Sequence, residues 1–390
     1  MGGFGASSRK GEGHAGDVVA VVDDLLAAAV AHGASDVHFE PTRTELIVRF
    51  RMDGVLTTVE RLPGAIAENV ISRLKVLGGL LTYRNDIPQE GRIEVRPGAA
   101  GPVTDQRLAV FPTIHGQRAA VRLFYDQTAL NDLEQLGFSP HVLSALTRIA
   151  ASPQGVLLLT GPAGSGKSTT LAAMLRYIAH HFPGKSIVSL EDPVERAIDG
   201  VTQVQISPHG QMTFPVALRS LLRQDPEVLM IGEIRDAETA RIAVQAGLTG
   251  HLLMSTMHSG SPPAALLRLL EMGIEPYQVT SSVAAVLNQR LVRRLCDRCK
   301  RPGEDSRPHS PAGCEKCFQT GFRGRVLIAE MVELDGALRK AVLSRADQDE
   351  LEGILRSRGH MSIRRDGQRL VLEGLTTGEE LRHVCGPQED

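Results

Sequence analysis

The chain is 390 residues long and 42 % apolar, enough for two or three domains with packed cores. Its 43 basic and 45 acidic residues nearly cancel, and with no Trp and only four Tyr it offers neither a basic field nor stacking platforms for nucleic acid. The N-terminal MGGFGASSRKGEGHAGD lacks the apolar core of a signal peptide, and stretches such as 18–31 are too short and too charged to span a bilayer, so a cytoplasmic protein with only peripheral membrane contact is expected.

Residues 1–16 read as a disordered tail. From Asp17 to Ala31, apolar residues at 18, 19, 21, 22, 25, 26 and 30 recur at helical spacing. DVHFE (36–40) and TELIVRFRMDG (44–54) read as strands, the second ending at an Asp-Gly turn. A second helix is predicted over about 65–81, then a strand RIEVRP (92–97). Strands at 107–111 and 118–124 follow as a hairpin turning at His115-Gly116. Together 17–125 form a small mixed α/β domain, and 126–139, without clean periodicity, serve as a linker to a second domain over 140–390.

In that second domain VLLLT (156–160), SIVSLE (186–191), EVLMIGE (227–233) and HLLMST (251–256) are near-continuous apolar runs, as in parallel strands buried on both faces. Helices at 168–181, 214–223, 236–247 and 262–272 alternate with them. The pattern predicts an α/β fold, a doubly wound, mainly parallel sheet with its site at the carboxyl ends of the strands. One helix is expected over 276–295, leading into a cysteine cluster, and helical segments over 334–385.

Residues 156–170, VLLLTGPAGSGKSTT, place the phosphate-binding pattern G-x-x-x-x-G-K-[ST] between a strand and a helix. Gly161, Pro162, Ala163, Gly164, Ser165, Gly166, Lys167, Ser168 and Thr169 are therefore the candidate nucleotide-binding residues. Glycines let successive N–H groups converge on one anion, and the helix N-terminus favours the same charge. Lys167 would meet the β- and γ-phosphates of ATP, and the Ser168 hydroxyl would bind Mg²⁺.

Hydrolysis also needs carboxylates. VLMIGE brings Glu233 to a strand tip, where it can hold Mg²⁺ with Ser168 or position water, and LEDPVE does the same for Glu191. His258 ends the next strand, where an imidazole could sense the γ-phosphate; a satisfied core histidine is the plainer alternative. Arg219 and Arg223 lie four apart and could clamp phosphates, or simply form a solvated face.

Cys296, Cys299, Cys314 and Cys317 form C-x₂-C-x₁₄-C-x₂-C, two thiolate pairs that can complete a tetrahedral structural zinc site (Zn²⁺). The loop between them has no apolar periodicity, so a metal is its expected organiser. Cys385 stands alone.

Taken together, GPAGSGKSTT, SLEDPVE, RSLLRQDPEVLMIGEIRDAETA and TGHLLMSTMHS resemble the ATPases of type II secretion and type IV pilus assembly, with the Walker A, acidic, Walker B and histidine boxes in the family's order. SDVHFEP, VRFRMDG, IPQEGR and FPTIHGQR resemble the family's second N-terminal domain. LNQRLVRRLC with GFRGR resembles its metal-site segment, and MSIRRDGQRLVLEGLTTGEEL its C-terminal end. The likeness spans about residues 17–385. It implies a RecA-like P-loop ATPase domain preceded by a PAS-like α/β domain, working as a homohexamer on an inner-membrane platform protein at the cytoplasmic face.

By the same resemblance Glu233 is the Walker B glutamate, Glu191 the acidic-box carboxylate and His258 a γ-phosphate reporter, with Arg219 and Arg223 near the phosphates. Arg107 and Arg122 would swing in as finger-like arginines when the first domain closes. The sequence departs from the family where the histidine box reads His258-Ser259-Gly260 rather than His-Thr-Asn, and where Arg107-Leu108-Ala109-Val110 replaces Arg-x-Ser-Thr. Only about 16 residues precede the second N-terminal domain, so docking through a first such domain is expected to be absent. The four cysteines resemble those of secretion and extension ATPases and disfavour a retraction or conjugation-type motor. A nucleic-acid translocase and a scaffold without turnover remain rival classes; the first meets the balanced charge, the second the pair Glu191 and Glu233.

Overall fold

The computed structural model describes residues 17–94, 103–125, 132–206, 210, 212–303 and 308–387. The expected tail 1–16, the end of the predicted strand 92–97 and the first part of the predicted linker lie outside them. Backbone contacts divide the chain into two compact units, Met1–Thr128 and Ala129–Asp390.

In the first unit, α1 (Val18–Ala31) starts where the Asp17 carboxylate accepts hydrogen bonds from the N–H groups of Val19 and Ala20, satisfying donors left open at a helix start. Then come β1 (Asp36–Pro41), β2 (Glu45–Met52), β3 (Val55–Pro63), α2 (Gly64–Leu77), β4 (Gln89–Ile93), β5 (Val103–Thr113) and β6 (Gly116–Tyr125). They pair antiparallel in the order β3-β2-β1-β6-β5-β4. Alternation along β1 and β2 turns Val37, Phe39, Leu46, Val48 and Phe50 into a core shared with Val22, Val70 and Leu74 of the two helices. The opposite face of β1 and β2 carries Asp36, His38, Glu40, Glu45, Arg49 and Arg51.

Strand β3 was not expected from sequence. Asp53 and Gly54 both take positive φ (51° and 88°), a tight hairpin turn that folds VLTTVERLP back on β2. Most of β3 is exposed, so it carries little of the alternation that reveals a strand.

In the second unit a 3₁₀ turn, Leu133–Leu136, packs Leu133 into the core, so this part of the predicted linker belongs to the packed body. Next come α3 (Pro140–Ala151), β7 (Gly155–Thr160), α4 (Lys167–His181), β8 (Ile187–Glu191), β9 (Thr202–Gln205) and α5 (Phe214–Leu221). β10 (Val228–Ile231), α6 (Ala237–Leu248), β11 (Leu252–Met257), α7 (Pro262–Glu271) and α8 (Pro276–Ser282) follow. Last are β12 (Val283–Leu295), β13 (Phe322–Glu333), α9 (Gly336–Leu343), α10 (Gln348–Ser357), α11 (Ile363–Leu372) and α12 (Gly378–Cys385). The seven-stranded sheet runs β13-β12-β7-β11-β10-β8-β9, parallel throughout except for the β12–β13 pair.

The helix expected over 276–295 is corrected by this topology: α8 stops at Ser282 and the chain continues as β12. Residues 285–288 lie between β7 and β13 and are buried on both faces, so their apolar spacing cannot tell helix from strand. β13 was likewise unforeseen. Beyond Gln289, β12 is bound to the C-terminal helices: Arg293 forms an ion pair with the buried Glu380 of α12 (2.6 Å), and its carbonyl accepts from Thr376 (2.8 Å).

Candidate nucleotide site and cysteine cluster

β7, buried along its whole length, delivers the chain to the phosphate loop. Gly161 and Gly166 take φ of 134° and 90°, closed to other residues at low cost. A side chain at Gly161 would also collide with the Gln289 carbonyl, 2.3 Å from the position of a Cβ. α4 begins at Lys167 with no side-chain cap, leaving its first N–H groups available to an anion. The Lys167 ammonium donates to the carbonyls of Gly161 (2.8 Å) and Pro162 (3.0 Å) and so spans the loop. Burial lowers its pKa, and the nearby negative charge of Glu233 opposes that shift.

Strand order separates the two acidic strand tips from the phosphate loop. The strands ending in Glu233 and Glu191 are not beside the phosphate-loop strand; β11 lies between β7 and β10, and β8 is farther still. The nearest strand tip on that side is therefore that of β11, just before His258. Its Nε2 lies 2.9 Å from Glu233 Oε1, while Arg235 Nε donates to Glu233 Oε2 at 2.5 Å. The carboxylate is thus held from both sides; its side chain is 16 % exposed against 63 % for His258. The sequence reading missed Arg235. In an extended segment residues two apart point the same way, so GEIRD held the clue.

Glu191 Oε1 accepts from Ser189 Oγ (2.6 Å) and Gln203 Nε2 (2.9 Å), which fixes its orientation at the end of β8. Arg219 forms an ion pair with Glu238 of α6. Arg223, past the end of α5, folds back to donate to the Arg219 carbonyl (3.0 Å). Neither contact involves the phosphate loop.

In the first unit Arg107 and Arg122 are direct cross-strand partners. They belong to a row across five strands, Arg51, Asp36, Arg122, Arg107 and Arg92. Asp36 pairs with Arg122 (2.9 Å) and Arg51 (3.4 Å), and Asp105 with Arg92 (2.5 Å) and Arg107 (3.5 Å). Four guanidinium groups share two carboxylates, so positive charge is in excess. Burial raises the pKa of Asp36, but hydrogen bonds from Arg122 and Ser35 outweigh it and hold the group below the usual carboxylate value. Arg107 and Arg122 remain 63 % and 66 % exposed.

Behind the phosphate loop sits Gln289 of β12, which the sequence reading did not single out. It is fully buried; its amide donates to the Ser165 carbonyl (2.9 Å) and accepts from the Thr170 hydroxyl (3.1 Å).

The ligand atoms of Cys296, Cys299, Cys314 and Cys317 all lie within 4.8 Å of one another. The 296–314, 299–317 and 314–317 sulfurs are 3.8, 3.7 and 3.6 Å apart. A tetrahedron of sulfurs about 2.3 Å from a central zinc has edges of about 3.8 Å. N–H groups of Cys314 and Gly321 point at Cys317 Sγ (3.2 Å each), as suits a thiolate. The cluster is compatible with a bound metal.

The chain matches the family described as Type II/IV secretion system protein over residues 12–383. It is 44 % identical over 369 residues to the type II secretion system protein HxcR of Pseudomonas aeruginosa, covering 94 % of this chain and 77 % of HxcR. It is 42 % identical over 382 residues to the type II secretion system ATPase E of Vibrio cholerae, covering 94 % and 75 %. Against the type IV pilus assembly ATPase PilB of Thermus thermophilus the identity is 39 % over 377 residues, 92 % of this chain but only 42 % of PilB. Among solved structures, the pilus retraction motor PilT with bound ADP superposes with a TM-score of 0.60 at 23 % identity, covering 94 % of this chain and 96 % of PilT. Legionella pneumophila DotB gives 0.66 at 19 %, covering 94 % and 95 %. At such identities these two speak for the α/β fold alone. The identities to HxcR and ATPase E, with the four cysteines and every box from phosphate loop to histidine, make this chain a member of the type II/IV secretion system protein family.

Proposed function

We propose that this chain is a hexameric ATPase motor that powers assembly of a type II secretion pseudopilus or a type IV pilus through an inner-membrane platform protein. The observation that carries this reading is the strand-tip carboxylate Glu233, within electrostatic reach of Lys167 and held between His258 and Arg235. The names of HxcR, ATPase E and PilB support the cellular role. The four-cysteine cluster favours it over the retraction motor to which the fold is also similar. Among the described residues no helix is long and apolar enough to cross a membrane.

In this reading Lys167 exchanges the Gly161 and Pro162 carbonyls for β- and γ-phosphate oxygens. Ser168 and Glu233 offer the hard oxygen donors that Mg²⁺ takes, and the ion would offset charge developing on the phosphoryl group. Glu233 orients the attacking water and accepts its proton, Glu191 fixes solvent beside it, and His258, bonded to Glu233, reports on the γ-phosphate. Arg219 and Arg223 would reach the phosphates only by leaving Glu238 and the α5 carbonyl. The direct test is Mg²⁺-dependent release of inorganic phosphate from ATP. Lys167→Ala should weaken nucleotide binding and reduce release by at least about tenfold, because it removes the charge that meets the phosphates. Release unchanged in that variant would reject the reading.

The sulfur spacing fits zinc, which we assign as one structural ion per chain. Elemental analysis of protein purified without chelator should find it. The double variant Cys314→Ser/Cys317→Ser should lose the metal and unfold the segment around it at lower temperature. Four freely titrating thiols in metal-free wild-type protein of equal stability would dispose of the assignment.

A further inference from the structure

We infer that Gln289 is a positioning residue for nucleotide binding: from β12 it fixes the peptide whose N–H must face the phosphates. Where a phosphate loop aims an N–H group inward, the carbonyl of the same peptide faces outward and needs a donor from elsewhere. The Ser165 carbonyl finds one in Gln289 Nε2, at 2.9 Å. A trans peptide is planar, with C=O and N–H on opposite sides. Holding the Ser165 oxygen toward β12 therefore directs the Gly166 N–H away from β12 and into the loop.

The other end of the same amide is fixed as well. Gln289 Oε1 accepts from the hydroxyl of Thr170, in the first turn of α4, at 3.1 Å, so the side chain cannot rotate without breaking that bond. The Gln289 carbonyl fills the space beside Gly161, and its Nε2 lies 3.2 Å from where a Gly166 side chain would begin. One residue thus touches the loop at both ends and the helix that follows it. A leucine could fill this buried position, but no apolar side chain could supply the donor that Ser165 needs. The inference rests on the reading of residues 161–169 as the nucleotide site, and the test separates the two.

The measurement is equilibrium binding of a fluorescent ADP analogue to the full chain, with thermal unfolding recorded in its absence and the KM and kcat for ATP alongside. Gln289→Leu and Gln289→Met both lose the donor, and each should weaken analogue binding about tenfold, as expected when a buried carbonyl is left without a partner. KM for ATP should rise by a similar factor while kcat falls less. Thr170→Val, which frees the far end of the amide, should weaken binding in the same direction by a smaller factor, and it decides the matter should neither Gln289 variant fold. Folded Gln289 variants, or Thr170→Val in their place, that bind the analogue like the wild type would overturn the inference, even with a lowered melting temperature. Lys167→Ala is the control: if it too bound normally, the phosphate-loop reading would fail rather than the role of Gln289.

Discussion

Glu233→Gln is expected to bind ATP with wild-type affinity and lose about 10²–10⁴-fold in turnover, the usual contribution of a positioned general base, or roughly 3–5 kcal/mol of barrier. The amide is nearly isosteric, so packing at the end of β10 is kept. It still accepts a hydrogen bond from Arg235 or His258, but it cannot take a proton from water. Its loss of charge also removes the opposition to the lowered pKa of Lys167. Single-turnover phosphate release, with binding measured separately, distinguishes this outcome from lost affinity. A variant that hydrolysed ATP at the wild-type rate would take Glu233 out of the mechanism.

The second large effect is expected at Arg107 and Arg122. Each lies on the sheet face opposite the core of the first unit, in a row where arginine outnumbers aspartate. If closure of that unit brings them to the transferring phosphoryl group, Arg107→Ala and Arg122→Ala should each cut turnover by about 10³-fold while binding through the phosphate loop survives. Because Asp36 holds Arg122, Arg122→Ala also leaves the buried Asp36 with only Arg51 and the Ser35 hydroxyl, so a change in stability should accompany that variant more than Arg107→Ala. Sedimentation with a non-hydrolysable ATP analogue should show hexamers. Monomers only, together with normal turnover in both variants, would remove the support for a ring motor with arginine fingers.

How far the sequence could be read follows from where its signals come from. The phosphate loop, the four parallel strands β7, β8, β10 and β11 and the cysteine pairs were legible because fixed spacing or long apolar runs mark them. The helix predicted through β12 failed because a strand paired on both sides and buried on both faces loses its alternation, and β3 escaped because an exposed edge has too little. Within the site, Glu233, His258 and Glu191 could be found as polar residues ending apolar runs. That His258 binds Glu233 could not, since it depends on β11 pairing beside β10. Gln289 was invisible for the same reason: it sits 119 residues beyond Thr170 in sequence and meets it only through sheet pairing.

The tie between β12 and the last helix bears on how the chain can be cut. Glu380 is 4 % exposed and its carboxylate is matched by Arg293, four positions beyond Gln289 on the same strand, which then runs straight on to Cys296. A C-terminal truncation before α12 would therefore not trim an appendage. It would strip from β12, the strand that backs the phosphate loop, both the Glu380 partner of Arg293 and the apolar cover that Leu381 gives Val292, and what looks like a dispensable tail by position is, mechanically, part of the frame behind that loop.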